Sequence, residues 1–159
     1  MANVTVITVG SLKEGYLREA VAEYKKRLSQ YARVDEIEIK EERINNEDNR
    51  AQIDSALAKE AEKILSVIPK DSYKIALCVE GKQYSSEELA RLIGDGCDRG
   101  GKIALVIGSS YGIGESVKSE SDVRLSFSKL TFPHQLMKVI LFESLYRSFT
   151  ILAGKRYHK

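Results

Sequence analysis

The run Ile103-Ala104-Leu105-Val106-Ile107-Gly108-Ser109-Ser110-Tyr111-Gly112-Ile113-Gly114 passes from an unbroken apolar stretch into a glycine-punctuated loop. An apolar stretch this short, without alternation, suits a parallel strand covered on both faces. The loop then leaves the carboxyl end of that strand, where open α/β sheets hold ligands. Its G-x-x-x-G-x-G spacing differs from the dinucleotide fingerprint, and no Gly-Lys-Ser/Thr follows as in a phosphate loop. Taken alone, the glycines serve either close backbone approach to a ligand or turn geometry only.

Working outward, the pattern alternates strands and helices. Val4 to Val9 is rich in β-branched residues and ends at Gly10, a strand. Leu17, Ala20, Val21, Tyr24, Leu28 and Tyr31 recur at helical spacing, with Lys25, Lys26 and Arg27 on the outer face. Val34 to Ile39 alternates apolar and acidic residues, as a half-exposed edge strand does. Helix resumes through Ile53, Leu57, Ala61 and Ile64 and stops before Pro69. Tyr73 to Val79 predicts a strand turning at Gly81, and Ser85 with Glu88 forms a capping box that opens another helix. Gly94, Gly96, Gly100 and Gly101 are expected to loosen the chain before the strand at 103–107. The fold class is therefore α/β, a parallel-rich sheet layered by helices, in a single domain over 1–159.

Composition narrows the function. At 159 residues, 43% hydrophobic and 30% charged, the chain suits one globular core without disulfides. A formal net charge of +2 means that any RNA contact comes from local basic clusters. Cys78 reads as a small buried hydrophobe, and Cys97 has no assigned role. Two histidines, His134 and His158, without a partnered carboxylate motif make no metal site. The amino terminus lacks a signal-peptide pattern and no run is long enough to span a bilayer, which predicts a cytoplasmic protein without membrane contact.

The second informative stretch is Leu125-Ser126-Phe127-Ser128-Lys129-Leu130-Thr131-Phe132-Pro133-His134-Gln135. Pro133 is placed in the first turn of a long helix, whose free backbone donors suit a carboxylate or a polar ring edge. His134 is either catalytic or a local hydrogen-bonding group. Along this helix, Leu141, Phe142, Leu145 and Phe149 belong to one apolar arc, whereas Leu136, Met137 and Ile140 fall outside it. Such a helix is covered on more than one side, by its own domain or by a second copy. Lys138 projects into the apolar arc, so it either snorkels outward or points to a pocket near the helix start. The tail, Gly154-Lys155-Arg156-Tyr157-His158-Lys159, gathers cations, a phenol and an imidazole, a set suited to phosphate contact, stacking and proton acceptance.

These residues, with Val9-Gly10, Tyr24-Lys25-Lys26-Arg27-Leu28 and Glu143-Ser144-Leu145-Tyr146-Arg147, closely resemble the ribosomal RNA large-subunit methyltransferase H family along the whole chain. The resemblance implies a SPOUT fold with a C-terminal trefoil knot, acting as a homodimer. It implies S-adenosylmethionine as cofactor and methylation of N3 of pseudouridine 1915 in 23S rRNA on assembled ribosomes. By analogy the cofactor rests near Leu77, Gly108, Phe127, Ser128, Lys129, Leu130, Thr131 and Phe132. An imide N3 must lose a proton before it attacks. His158 is the first candidate for base or orienting group, with Tyr157 beside it; Arg156 and Lys159 are expected on phosphate or a developing oxyanion. Arg147 is either a helix-surface partner of Glu143 or a catalytic contact across the dimer. The family usually shows Gly-Gly where this chain has Gly108-Ser109, and a small or polar residue at Tyr111. A left-handed backbone at Ser109 would cost about 1–2 kcal/mol. A non-catalytic RNA- or nucleotide-binding module on the same fold is the alternative.

Overall fold

The computed structural model describes residues 1–159. Strands β1 (Ala2–Val9), β2 (Ala32–Ile39), β3 (Tyr73–Gln83), β4 (Lys102–Ile107) and β5 (Val123–Ser126) form one parallel sheet in the order β2-β1-β4-β3-β5. Helices α1 (Gly15–Leu28), α3 (Ser86–Asp98) and α5 (His134–Leu152) cover one face, while α2 (Arg50–Val67) and α4 (Glu115–Glu120) cover the other.

The period-two alternation of the strands divides the core between these layers. Val4 and Val6 of β1, with Ile103 and Leu105 of β4, pack toward Val21, Ile93, Leu141 and Phe142. Ile7 and Val9, with Val106, pack toward Ala61, Ile64 and Val117. Covered twice, the central β4 is buried from Ile103 to Ile107, as its apolar run requires. The alternating β2 pairs only with β1 and lies at the sheet edge.

Several local expectations are corrected. β3 does not turn at Gly81 but continues to Gln83, with a register shift against β5 between Leu77 and Lys82. A Cβ on Gly81 would lie 2.7 Å from the Arg124 carbonyl carbon, so this glycine admits the neighbouring strand. Gly94 and Gly96 lie inside α3, where Gly96 lets the helix settle against Ile103 and Tyr73. Close packing there outweighs glycine's poor helix propensity. Pro133 immediately precedes α5 rather than joining its first turn, and Tyr31 falls beyond α1. The short β5 and α4 were not legible as elements.

Lys138 does not snorkel to solvent; it lines a small cavity with His134 and Gln135 at the start of α5, and an ion pair holds its ammonium. Only 4% exposed, it crosses the apolar arc of α5 to the sheet edge, where Nζ lies 2.9 Å from Glu36 Oε1. Leu141, Phe142, Leu145 and Phe149 bury one side of α5, while Leu136 and Leu152 stay exposed and Val139 and Ile140 half-buried.

Candidate functional site

The carboxyl ends of β3, β4 and β5 open into a cavity of about 560 Å³. Two loops enclose most of it, one following β4 and the other joining β5 to α5. In the first, Gly112 donates its N–H to the Ser109 carbonyl at 2.9 Å, and Gly112 has φ +105°. A Cβ on Gly108 would lie 2.2 Å from the Gly112 carbonyl oxygen, so the turn closes directly over a glycine. Ser109 does not have positive φ; the backbone strain considered for that serine does not arise. Its Oγ accepts the Tyr111 N–H at 3.3 Å.

The second loop is braced by its own serines. Ser128 Oγ accepts the Leu130 N–H at 2.9 Å, and Ser126 Oγ donates to the Ser128 carbonyl at 3.2 Å. Short polar side chains that bond the backbone two residues on hold such bends without regular structure. Leu77, Gly108, Phe127, Ser128, Leu130, Thr131 and Phe132 all line the cavity, whereas Lys129 is exposed and does not. The lining also includes Ser126 and His134 of the 125–135 stretch, together with Cys78 and Met137, which sequence reasoning did not assign to it. Cys78 is thus a half-buried wall residue rather than core, and burial pushes its thiol up. Glu80 at the rim pairs with Lys118, whose hydrogen bond holds that carboxyl below the usual range.

The carboxyl-terminal tail lies elsewhere. Tyr157, half-buried, packs edge-on against Tyr146 with ring centroids 4.7 Å apart, under the Arg147 guanidinium. Arg147 Nη1 lies 3.1 Å from His158 Nδ1, and His158 Nε2 lies 2.8 Å from Glu87 Oε1. A guanidinium only donates, so Nδ1 accepts and the hydrogen sits on Nε2, directed at Glu87. Both ring nitrogens are engaged, which makes His158 an oriented group here. It must leave Arg147 before Nδ1 can take a proton. Arg156 and Lys159 are exposed. Arg147 and Glu143 line a smaller cavity of about 200 Å³ whose wall includes Phe127, a residue shared with the larger cavity. Within one chain, none of Arg147, Arg156, Tyr157, His158 or Lys159 lines that larger cavity. Glu87 as the partner of His158 was not foreseeable, since the two are 71 positions apart.

The parallel α/β sheet, with a looped cavity at its carboxyl edge formed late in the chain, is consistent with the SPOUT methyltransferases, the class in which a family match places this molecule. The family model described as "Predicted SPOUT methyltransferase" matches residues 2–158. The chain belongs, within that class, to the ribosomal RNA large subunit methyltransferase H family. It is 48% identical over 158 residues to the ribosomal RNA large subunit methyltransferase H of Shouchella clausii, covering 99% of each chain. To the protein of that name from Clostridium novyi it is 49% identical over 160 residues, again covering 99% of each. The fold is also similar to that of a probable methylase family protein from Haemophilus influenzae Rd KW20, with TM-score 0.50 and 12% identity over 97% of this chain and 67% of that one.

Proposed function

We propose that the chain methylates N3 of a pseudouridine in 23S rRNA with S-adenosylmethionine, acting as a cytoplasmic homodimer on assembled ribosomes. The carrying observation is the cavity walled by Gly108, Phe127 and Phe132, in a chain whose full-length relatives are named ribosomal RNA large subunit methyltransferases. Its lining fits the donor. Leu77, Ile107 and Phe127 suit an adenine ring, and Ser128 and Thr131 suit hydroxyl groups. Bound there, S-adenosylmethionine supplies an electrophilic methyl group for in-line displacement.

The remaining work falls to the tail. Arg147, Arg156 and Lys159 offer positive charge to phosphate and to the oxygen that becomes negative as N3 loses its proton. His158, released from Arg147, takes that proton, and Tyr157 orients the group. Because the tail lies outside its own subunit's cavity, a second subunit is needed to bring these residues to the donor. The exposed Leu136 and half-buried Ile140 give α5 an apolar surface for that contact. Trefoil threading of the single domain belongs to the same proposal.

The test is incubation of the protein and labelled S-adenosylmethionine with ribosomes lacking this methyl group, followed by mapping of the modified nucleotide. Label on N3 of one 23S pseudouridine is expected. Donor and ribosome binding without transfer would replace the proposal with a non-catalytic module.

A further inference from the structure

The larger cavity is walled mainly by apolar side chains and hydroxyls, yet one carboxylate and one ammonium reach it. They belong to Glu80 and Lys118, and Lys118 Nζ donates to Glu80 Oε1. β3 loses register with β5 between Leu77 and Lys82, so Glu80 stands on a bulge at the cavity rim. Lys118 comes from α4, which the fully buried Val117 anchors in the core. Its side chain is only 16% exposed, against 54% for Glu80. The pair is thus held from two elements, with its cation set deeper than its anion.

We propose that Lys118 and Glu80 together receive the amino-acid end of the methyl donor, Lys118 pairing with its α-carboxylate and Glu80 with its α-ammonium. This deepens the assignment of the cavity to S-adenosylmethionine and rests on it. The methionyl end of that donor is a zwitterion, and drawing it out of water requires a partner for each charge. Adjacent side chains of opposite sign supply both. With the donor in place the four charges alternate in sign, so neither Glu80 nor Lys118 is left without an opposite neighbour.

The rest of the lining offers no substitute. The hydroxyls of Ser109, Ser126 and Ser128 already bond their own loops. Arg124, another cation near Glu80, pairs with Glu115 and does not line the cavity. Leu77, Ile107 and Phe127 remain as walls for the adenine ring, which separates the apolar and ionic ends of the donor. Hydrogen bonding from Lys118 holds the Glu80 carboxyl below the usual range, so it is ionised at neutral pH, as an ammonium partner requires.

The experiment is calorimetric titration of the full chain with S-adenosylhomocysteine and with methylthioadenosine, for the unsubstituted protein, Lys118→Gln and Glu80→Gln. Both probes are thioethers with the same adenine and ribose, and only the first carries the amino-acid end. The unsubstituted protein should bind S-adenosylhomocysteine about tenfold more tightly. Lys118→Gln should lose about tenfold toward S-adenosylhomocysteine and keep its affinity for methylthioadenosine. Glu80→Gln should lose less, about threefold, because Lys118 still meets the carboxylate. The preference should narrow as salt rises, since the pair stands at the rim. Equal losses toward both probes in Lys118→Gln would make the pair a brace for the β3 bulge and overturn the proposal, as would unchanged affinity for S-adenosylhomocysteine. If the unsubstituted protein binds neither probe, the cavity assignment itself fails, and this inference with it.

Discussion

Tyr157 donates its phenolic hydrogen to Glu143 Oε1 across 3.1 Å, and that same oxygen receives Arg147 Nη2 at 2.5 Å. One carboxylate therefore holds both the tail and the cation of α5. Burial, then the Glu143 charge and its hydrogen bond, push the Tyr157 phenol up to about 12 from 10.0. The sign follows: a neutral phenol stabilises the folded tail fully below pH about 10, and that contribution is lost as pH rises toward 12. Spectrophotometric titration should show a late-ionising tyrosine among the eight. Glu143→Gln should bring that ionisation earlier; an unchanged titration would separate Tyr157 from Glu143.

Removing Tyr157 to Lys159 should abolish methyl transfer while donor affinity stays close to the intact value. The tail contacts Tyr146, Glu143 and Glu87, none of which lines the larger cavity. A stability loss of about 1 kcal/mol is expected from the severed hydrogen bonds, read as a small shift in melting temperature. Near-normal transfer by the truncated chain would remove the tail from the mechanism.

Ribosome affinity should decline as salt rises, because phosphate contacts release counterions. The tail is the main source expected for them. On α1, Lys25 is paired with Glu36 and Arg27 with Glu23, which leaves Lys26 as the unpaired cation of that trio. Exchanging Lys155, Arg156 and Lys159 for glutamine should therefore flatten the salt response more than exchanging Lys25, Lys26 and Arg27, as filter binding at two salt concentrations would show.

The parts legible in sequence were those where local pattern and tertiary environment agree. Ile103 to Ile107 is apolar because β4 is covered on both faces, and the alternation of β2 marks an edge. The capping box at Ser85 and Glu88 forms as read. β5 escaped notice because its four residues, Val-Arg-Leu-Ser, become a strand only by pairing with β3 across distant sequence. Gly94 and Gly96 misled because helix propensity carries no record of the strands against which α3 packs. Of the site, the two cavity loops were visible as glycine and serine patterns. The engagement of His158 by Glu87 was not, since the two residues meet only through tertiary folding across 71 positions.

Lys138 tests how much stability one buried cation supplies. Burial pushes the Glu36 carboxyl up, yet hydrogen bonds from Lys138 and Lys25 outweigh it and hold the group below the usual range. Lys138→Ala removes a packed stem and one partner of Glu36, which retains Lys25. A loss of about 2–3 kcal/mol in chemical denaturation is expected, with Lys138→Met costing less because the stem's packing survives. Equal losses would show that charge rather than packing dominates.

Gly108 and Ser109 are adjacent, yet substitution should act on them through different physics. At Gly108 the obstacle is space: an added Cβ would sit 2.2 Å from the Gly112 oxygen and 2.6 Å from Ile113 Cγ1. The backbone oxygen cannot step aside without opening the turn, so Gly108→Ala should cost about 1–3 kcal/mol and abolish donor binding. At Ser109 the φ angle is not positive, so replacing serine with glycine relieves nothing. Ser109→Gly loses the Oγ bond to the Tyr111 N–H and gains conformational freedom when unfolded. It should destabilise the protein by about 0.5–1 kcal/mol and weaken donor affinity, measured by denaturation and calorimetry side by side. A more stable Ser109→Gly protein would mean that the serine is strained after all, contrary to the geometry of the turn.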